Sequence, residues 1–481
     1  SKALTAAVAA VLLVSAGVLY AVLKINYHDA ARHESFVSAQ AGFRAVLAAA
    51  DKFANVPGSE AARRTALLNA LSYFEDFSRQ ANNDPSLKRD QAQAHARIGA
   101  IHEELGNLPE AIEHFETAEN YYLEIQSADQ GSLPSDSDSL ASARSENLNH
   151  LGMAYANGGR TAAAIDTLRK ATRLQEQIVT PAGRGALGLT NSNLGLVYAK
   201  VGQRDRARKT YQRAIEVLED VADDASDDAA TLRSLAAAYQ NYAVLLRRDA
   251  LGSSISEDSS GATLQAAARL LEQALELQQT LAKQPGNRSR MDPDLVSTYL
   301  HLGEVRLAQN QLSAARESFR AAEFLCEKLS SISPAPRYRR DLAISQTNLA
   351  MTLFDQGESQ EALKRLKAAQ ENYSQLIGRM PENAELLTSL GISLNNQATV
   401  LQDLNQAEKA LTVYNEAARN LVKARSITPT EQQRNALVRV YKNHAQLLTM
   451  ADREVEANRL NQKRVALGDP LPGHSFERAT P

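Results

Sequence analysis

The sequence predicts an all-α fold built as a solenoid of stacked helix pairs, preceded by one long apolar helix. Three observations predict it. Small residues recur along the chain at matched offsets. Alanine and leucine are abundant, whereas glycine (23) and proline (14) are sparse and period-two runs of β-branched residues are missing. The stretch Ala3–Leu23 is 21 residues without a charge.

The N-terminal stretch comes first. As a helix, 21 residues would span roughly 30 Å, the hydrocarbon thickness of a bilayer. A cleavable signal usually has a shorter apolar region with a small-residue cleavage site close behind. Here the nearest A-x-A, Ala39–Ala41, lies well downstream. The reading is a membrane anchor over 1–24, with residues 3–23 in the membrane. Residues 25–85 follow as a juxtamembrane helix pair or cap. The repeat array occupies 86–467, and 468–481 form a loose tail.

With Leu194-Gly195 as the anchor, the same unit recurs along the chain. The anchor position holds Gly99, Gly152, Gly195, Ala243, Gly303, Ala350, Ala398 and Ala445. In seven units alanine stands twelve residues on, and in the fourth, whose insertion includes 253–261, Ala267 takes that place: Ala111, Ala164, Ala207, Ala267, Ala315, Ala362, Ala410 and Ala457. Four further stands Phe115, Leu168, Tyr211, Leu271, Phe319, Leu366 or Tyr414. Small residues on both helices of a pair let the backbones approach, and the large one fills the seam. Gly106, Gly159, Gly202 and Gly357 are placed to end the first helix of a pair in a left-handed turn. Acidic and Pro/Gly-rich linkers fall between units; TPAGRG (180–185) is read as one of them.

Chemistry is hard to find. The net charge of −3 argues against a nucleic-acid binder. Cys326 is the only cysteine, so no disulfide or cysteine metal site can form within the chain, and packing is its expected role. Gly183–Gly188 fits G-x-G-x-x-G, but it lies between helices rather than after a strand, so a helix–helix turn is expected. No metalloprotease, nucleophile-elbow, Walker or kinase signature is present. The chain is read as no enzyme and as needing no cofactor or metal.

The L-G-x-x-Y motif, followed by G, A, F/Y and A at fixed offsets, resembles the tetratricopeptide repeat over about residues 90–467. The chain has no tryptophan, and its anchors lie 43 to 60 residues apart, mostly about 47, against the usual 34 of that family. Its helices are therefore expected to be extended, as in kinesin light chains. Two residues before each anchor stands a polar residue: Arg97, His150, Asn193, Asn241, His301, Asn348, Asn396 or Asn443. In tetratricopeptide proteins this position lines the concave groove, and the resemblance implies that these eight side chains hold the backbone of a protein or peptide ligand. The other open role is bonding between neighbouring helices.

The segment 67–107, LLNALSYFEDFSRQANNDPSLKRDQAQAHARIGAIHEELGN, resembles the region after the membrane span in large bacterial receptor-type serine/threonine protein kinases. That resemblance implies a single-pass membrane protein with repeats outside the cytoplasm, acting as the sensor region of a kinase whose catalytic domain would precede residue 1. The alternative is a self-standing membrane-anchored adaptor or assembly factor. The ligand, the membrane orientation and the oligomeric state are not legible in the sequence.

Overall fold

The computed structural model describes residues 60–81, 87–128, 134–224, 228–252, 257–283, 293–333 and 335–468. Among them are seventeen α-helices. They are α1 (Glu60–Ala81), α2 (Lys88–Leu105), α3 (Leu108–Ala128), α4 (Pro134–Asn157), α5 (Thr161–Gln175), α6 (Pro181–Lys200), α7 (Arg204–Asp224), α8 (Ala229–Ala250) and α9 (Glu257–Lys283). The rest are α10 (Pro293–Ala308), α11 (Leu312–Ile332), α12 (Pro336–Asp355), α13 (Ser359–Arg379), α14 (Ala384–Asp403), α15 (Ala407–Ile427), α16 (Glu431–Met450) and α17 (Glu454–Ala466). Many are 20 residues or longer, as the wide anchor spacing requires.

Two compact units divide the chain: Ser1–Asp249 with Gln273–Arg290, and Ala250–Glu272 with Met291–Pro481. In the first unit the pairs α2/α3, α4/α5 and α6/α7 pack internally and each against the next. In the second unit α10/α11, α12/α13, α14/α15 and α16/α17 do the same, around a core running from Val296 to Ala457. In every such pair the anchor stands on the first helix and the alanine twelve residues on stands on the second.

The recurring small residue has a direct steric cause. A Cβ placed on Gly195 would lie 2.9 Å from the Tyr211 ring, and one on Gly303 would lie 2.5 Å from the Phe319 ring. Each glycine anchor thus faces the large side chain sixteen residues later, and that side chain is buried. Gly106, Gly159, Gly202 and Gly357 turn the chain with φ between 74° and 82°, as expected. In three other pairs Asn310, Asn405 and Asp452 take the left-handed turn instead, with φ of 57–59°. Asparagine and aspartate tolerate that region because a short polar side chain can bond locally.

Two expectations are corrected. The stretch 180–185 is not a linker: Thr180 caps α6 by accepting from the Gly183 amide, and Pro181 occupies the first turn. Accordingly Gly183–Gly188 is not the expected helix–helix turn but helix, and a Cβ on Gly188 would lie 2.4 Å from Leu218 Cγ. The second correction concerns localisation. No helix among the described residues is long and apolar enough to cross a membrane, and this overturns the single-pass membrane placement with extracytoplasmic repeats. These helices are amphipathic and carry charges along their exposed faces. The stretch Ala3–Leu23, on which the anchor reading rested, lies outside the described residues.

Candidate functional site: the polar row of the first helices

The eight polar positions sit on the first helices of the pairs, and the two units treat them differently. In the first unit Arg97 on α2 is exposed, while His150 on α4, Asn193 on α6 and Asn241 on α8 are half-buried. Neighbouring helices connect along this row. His150 Nδ1 lies 3.1 Å from Glu103 Oε2 on α2, and its ring stacks on Phe115 at 5.6 Å. Asn193 Nδ2 donates to Asn149 Oδ1 on α4 at 3.0 Å. An amide has two donors and two acceptor positions, and this bond uses one of the four.

In the second unit three of the four positions are enclosed, the exception being His301. Asn348 on α12 and Asn396 on α14 are 0% exposed and Asn443 on α16 is 6% exposed. Here the polar side chains bond from helix to helix. Asn443 Nδ2 donates to Asn395 Oδ1 at 3.3 Å, and Gln433 Nε2 donates to Thr388 Oγ1 at 3.1 Å. Thr347 Oγ1 lies 3.1 Å from Ser393 Oγ. Buried polar groups need such partners, since an unpaired one costs about 1–3 kcal/mol. His301 on α10 is half-buried, with Nδ1 3.5 Å from the buried Glu304 carboxylate one turn on.

Several groups escaped sequence reasoning. Glu103 carries no local signal, because its partner His150 is 47 residues away in the chain. A run of stacked imidazoles joins α2 to α3. The His95 and His114 rings lie 5.2 Å apart with their Nδ1 atoms at 2.9 Å, and His102 stacks on His114 at 5.6 Å. Burial beside His114 holds His95 at about 4, well below the ordinary 6.5, and burial also lowers His114. Gln397 and His444 occupy the position before the anchor, where Leu151, Leu194, Leu302 and Leu349 stand in other units, and both are buried. Burial likewise holds His444 at about 4. Cys326 is buried, and burial pushes its thiol far up, so it is not poised as a nucleophile. Among the described residues no group of three or more histidine, cysteine, aspartate or glutamate side chains is placed to hold a metal ion.

Models of the tetratricopeptide repeat match residues 145–178, 192–225 and 347–421. Solved structures of similar architecture include BtubC from P. vanneervenii, 18% identical, covering 56% of this chain and 92% of that one at a TM-score of 0.41. Another is a signal transduction ATPase with a tetratricopeptide repeat sensor from Pyrococcus horikoshii. It is 12% identical with a TM-score of 0.49, and the match covers 84% of this chain but 52% of that one. The apo quorum sensor NprR from B. thuringiensis is 14% identical, with 76% of this chain and 99% of that one covered at a TM-score of 0.39. No curated protein matches the chain in sequence. The matches are to repeats and helical arrays, and none supports the receptor-kinase resemblance.

Proposed function

We propose that this chain, which carries tetratricopeptide repeats stacked as an α-solenoid, is a protein-interaction scaffold, and that it captures an extended peptide segment along the polar row of α2, α4 and α6 in the first unit. The observation that carries this reading is the difference in exposure. Arg97, His150 and Asn193 remain within reach of solvent, whereas Asn348 and Asn396 at the equivalent positions are sealed.

The chemistry suits a backbone ligand. Asn193 offers donor and acceptor together, Arg97 offers a fork of donors, and His150 beside Glu103 offers one more titratable partner. Packed helices lie about 8–10 Å apart, and an extended chain advances about 3.3 Å per residue. One polar side chain per helix therefore meets about every third residue of a peptide crossing the row. The amide row reads main chain, and side-chain preferences come from its neighbours.

The test uses the full chain and a peptide selected on it from a random displayed library. Asn193→Ala and Arg97→Ala are expected to weaken capture of that peptide at least tenfold by fluorescence anisotropy, with the circular dichroism spectrum unchanged. Asn348→Ala is expected to leave the affinity within threefold. An unchanged affinity in both first-unit variants refutes the reading.

A further inference from the structure

The first half of α7 is strongly basic, and ion pairs account for only some of its cations. Its sequence begins RDRARKTYQR (204–213), and Lys200 stands at the end of α6. Near this end lies the end of α8, with Arg247 and Arg248 just before Asp249. Asp249 is 2% exposed and ties the helices together: Arg208 Nη2 reaches its Oδ2 at 3.0 Å, and Arg204 Nε lies 3.4 Å from its Oδ1. Arg206 leans over the Tyr198 ring of α6 at 6.0 Å. The result is a region over α6, α7 and α8 in which eight basic side chains meet three acidic ones: Asp205, Asp249 and Glu216, which pairs with Arg213 at 2.8 Å. This stands on a chain whose net charge is −3.

Two of the arginines serve Asp249, but Lys200, Arg206, Lys209 and Arg248 are exposed. Their placement works against the helix. A helix start carries partial positive charge and favours acidic residues, yet α7 starts basic and ends with Glu216, Glu219, Asp220, Asp223 and Asp224. Other second helices start in the favourable sense, such as α17 with Glu454 and Glu456. The reversed order does not stabilise α7. It concentrates positive potential at one end of it.

We propose that this surface docks a short carboxylate-rich segment of a partner protein. The acidic second half of α7 sets the length. Ten helical residues span about 15 Å, after which a ligand following the helix meets like charge. That excludes a long polyanion and suits about four to six residues of extended peptide. Val201, 40% exposed at the α6–α7 turn, adds an apolar contact beside the charges. The surface is separate from the polar row of the preceding section, and neither proposal depends on the other.

The probe is a fluorescein-labelled octapeptide of six glutamates and two leucines, titrated against the full chain at 50 mM salt. A glutamine version and a 20-nucleotide single-stranded DNA serve as comparisons. The glutamate peptide is expected to bind at least tenfold tighter than the glutamine peptide, and at least tenfold weaker at 500 mM salt. Lys200→Glu, Lys209→Glu and Arg248→Glu together are expected to abolish the preference. These side chains are exposed, so the melting temperature should change by no more than a few degrees. Lys423→Glu in the second unit should change nothing. Equal binding of the two peptides overturns the proposal, as does a preference that survives the triple variant. Tighter binding of the DNA than of the peptide overturns the choice of partner.

Discussion

Replacing Phe319 by alanine is expected to destabilise the second unit by about 3–5 kcal/mol, the usual range for a fully buried phenylalanine. The ring is 0% exposed and rests on Gly303, whose position in a helix is already costly without a close neighbour to justify it. Removing the ring leaves a cavity bounded by two rigid helices, α10 and α11, which cannot collapse without separating the next pair. The converse change, Gly303→Leu, is expected to cost about 1–3 kcal/mol by overpacking the same spot. The two positions are one contact, so Gly303→Ala should be tolerated better when Phe319 is leucine, the pairing that Ala350 and Leu366 have at the same positions of another unit. Urea unfolding of the two single variants and the double variant measures the coupling. Additive effects would show that the small residue and the ring do not form one steric unit.

Acid is the second large perturbation. His95 and His444 each titrate at about 4 in the folded chain, against 6.5 for an ordinary histidine. Below pH 6.5 the unfolded chain takes up these protons first. Stability is therefore complete above about pH 6.5 and declines as the pH falls towards 4. Each pKa unit is worth about 1.4 kcal/mol, so each histidine removes about 3 kcal/mol over that window. The physical causes differ. His95 lies between the Ser78 hydroxyl and the His114 imidazole, with Tyr121 stacked on its other side at 5.7 Å. His444 is covered by the stack against Tyr414 at 5.6 Å, and Arg453 opposes its charge. Glu323 and Asp341 work in the opposite direction, since burial raises their carboxyls and favours the folded form in acid. Chemical unfolding at pH 7.5 and 4.5, with His95→Asn and His444→Leu beside the wild type, checks the sign. Each variant should lose part of the pH dependence, whereas an unchanged slope would mean that the histidines are solvated.

The repeat was legible because sterics impose it locally and repeatedly. Gly99, Gly152, Gly195 and Gly303 recur for the same reason, a ring or leucine sixteen residues later, and both members are in the sequence at a fixed interval. The turns were legible where glycine makes them and not where Asn310, Asn405 and Asp452 do, since those residues also suit many other places. Glycine misled at 183–188. There it marks close packing inside α6, and the cap at Thr180 decides the helix start. The polar row was visible as a pattern, but its exposure was not. Whether Asn193 stays within reach of solvent or Asn348 is sealed depends on the side chains that surround each position, and the repeat motif does not specify those. The histidine stack was invisible because His95, His102 and His114 are not at the repeat's own interval.

In the proposed function the solvent-accessible polar row of the first unit holds the ligand. Amide hydrogen exchange of the full chain, with and without the selected peptide, tests it most directly. Added protection is expected in α2, α4 and α6 around Arg97, His150 and Asn193, with α12 and α14 unchanged. Protection confined to α12, α14 and α16, or to the second helices of the pairs, would contradict it.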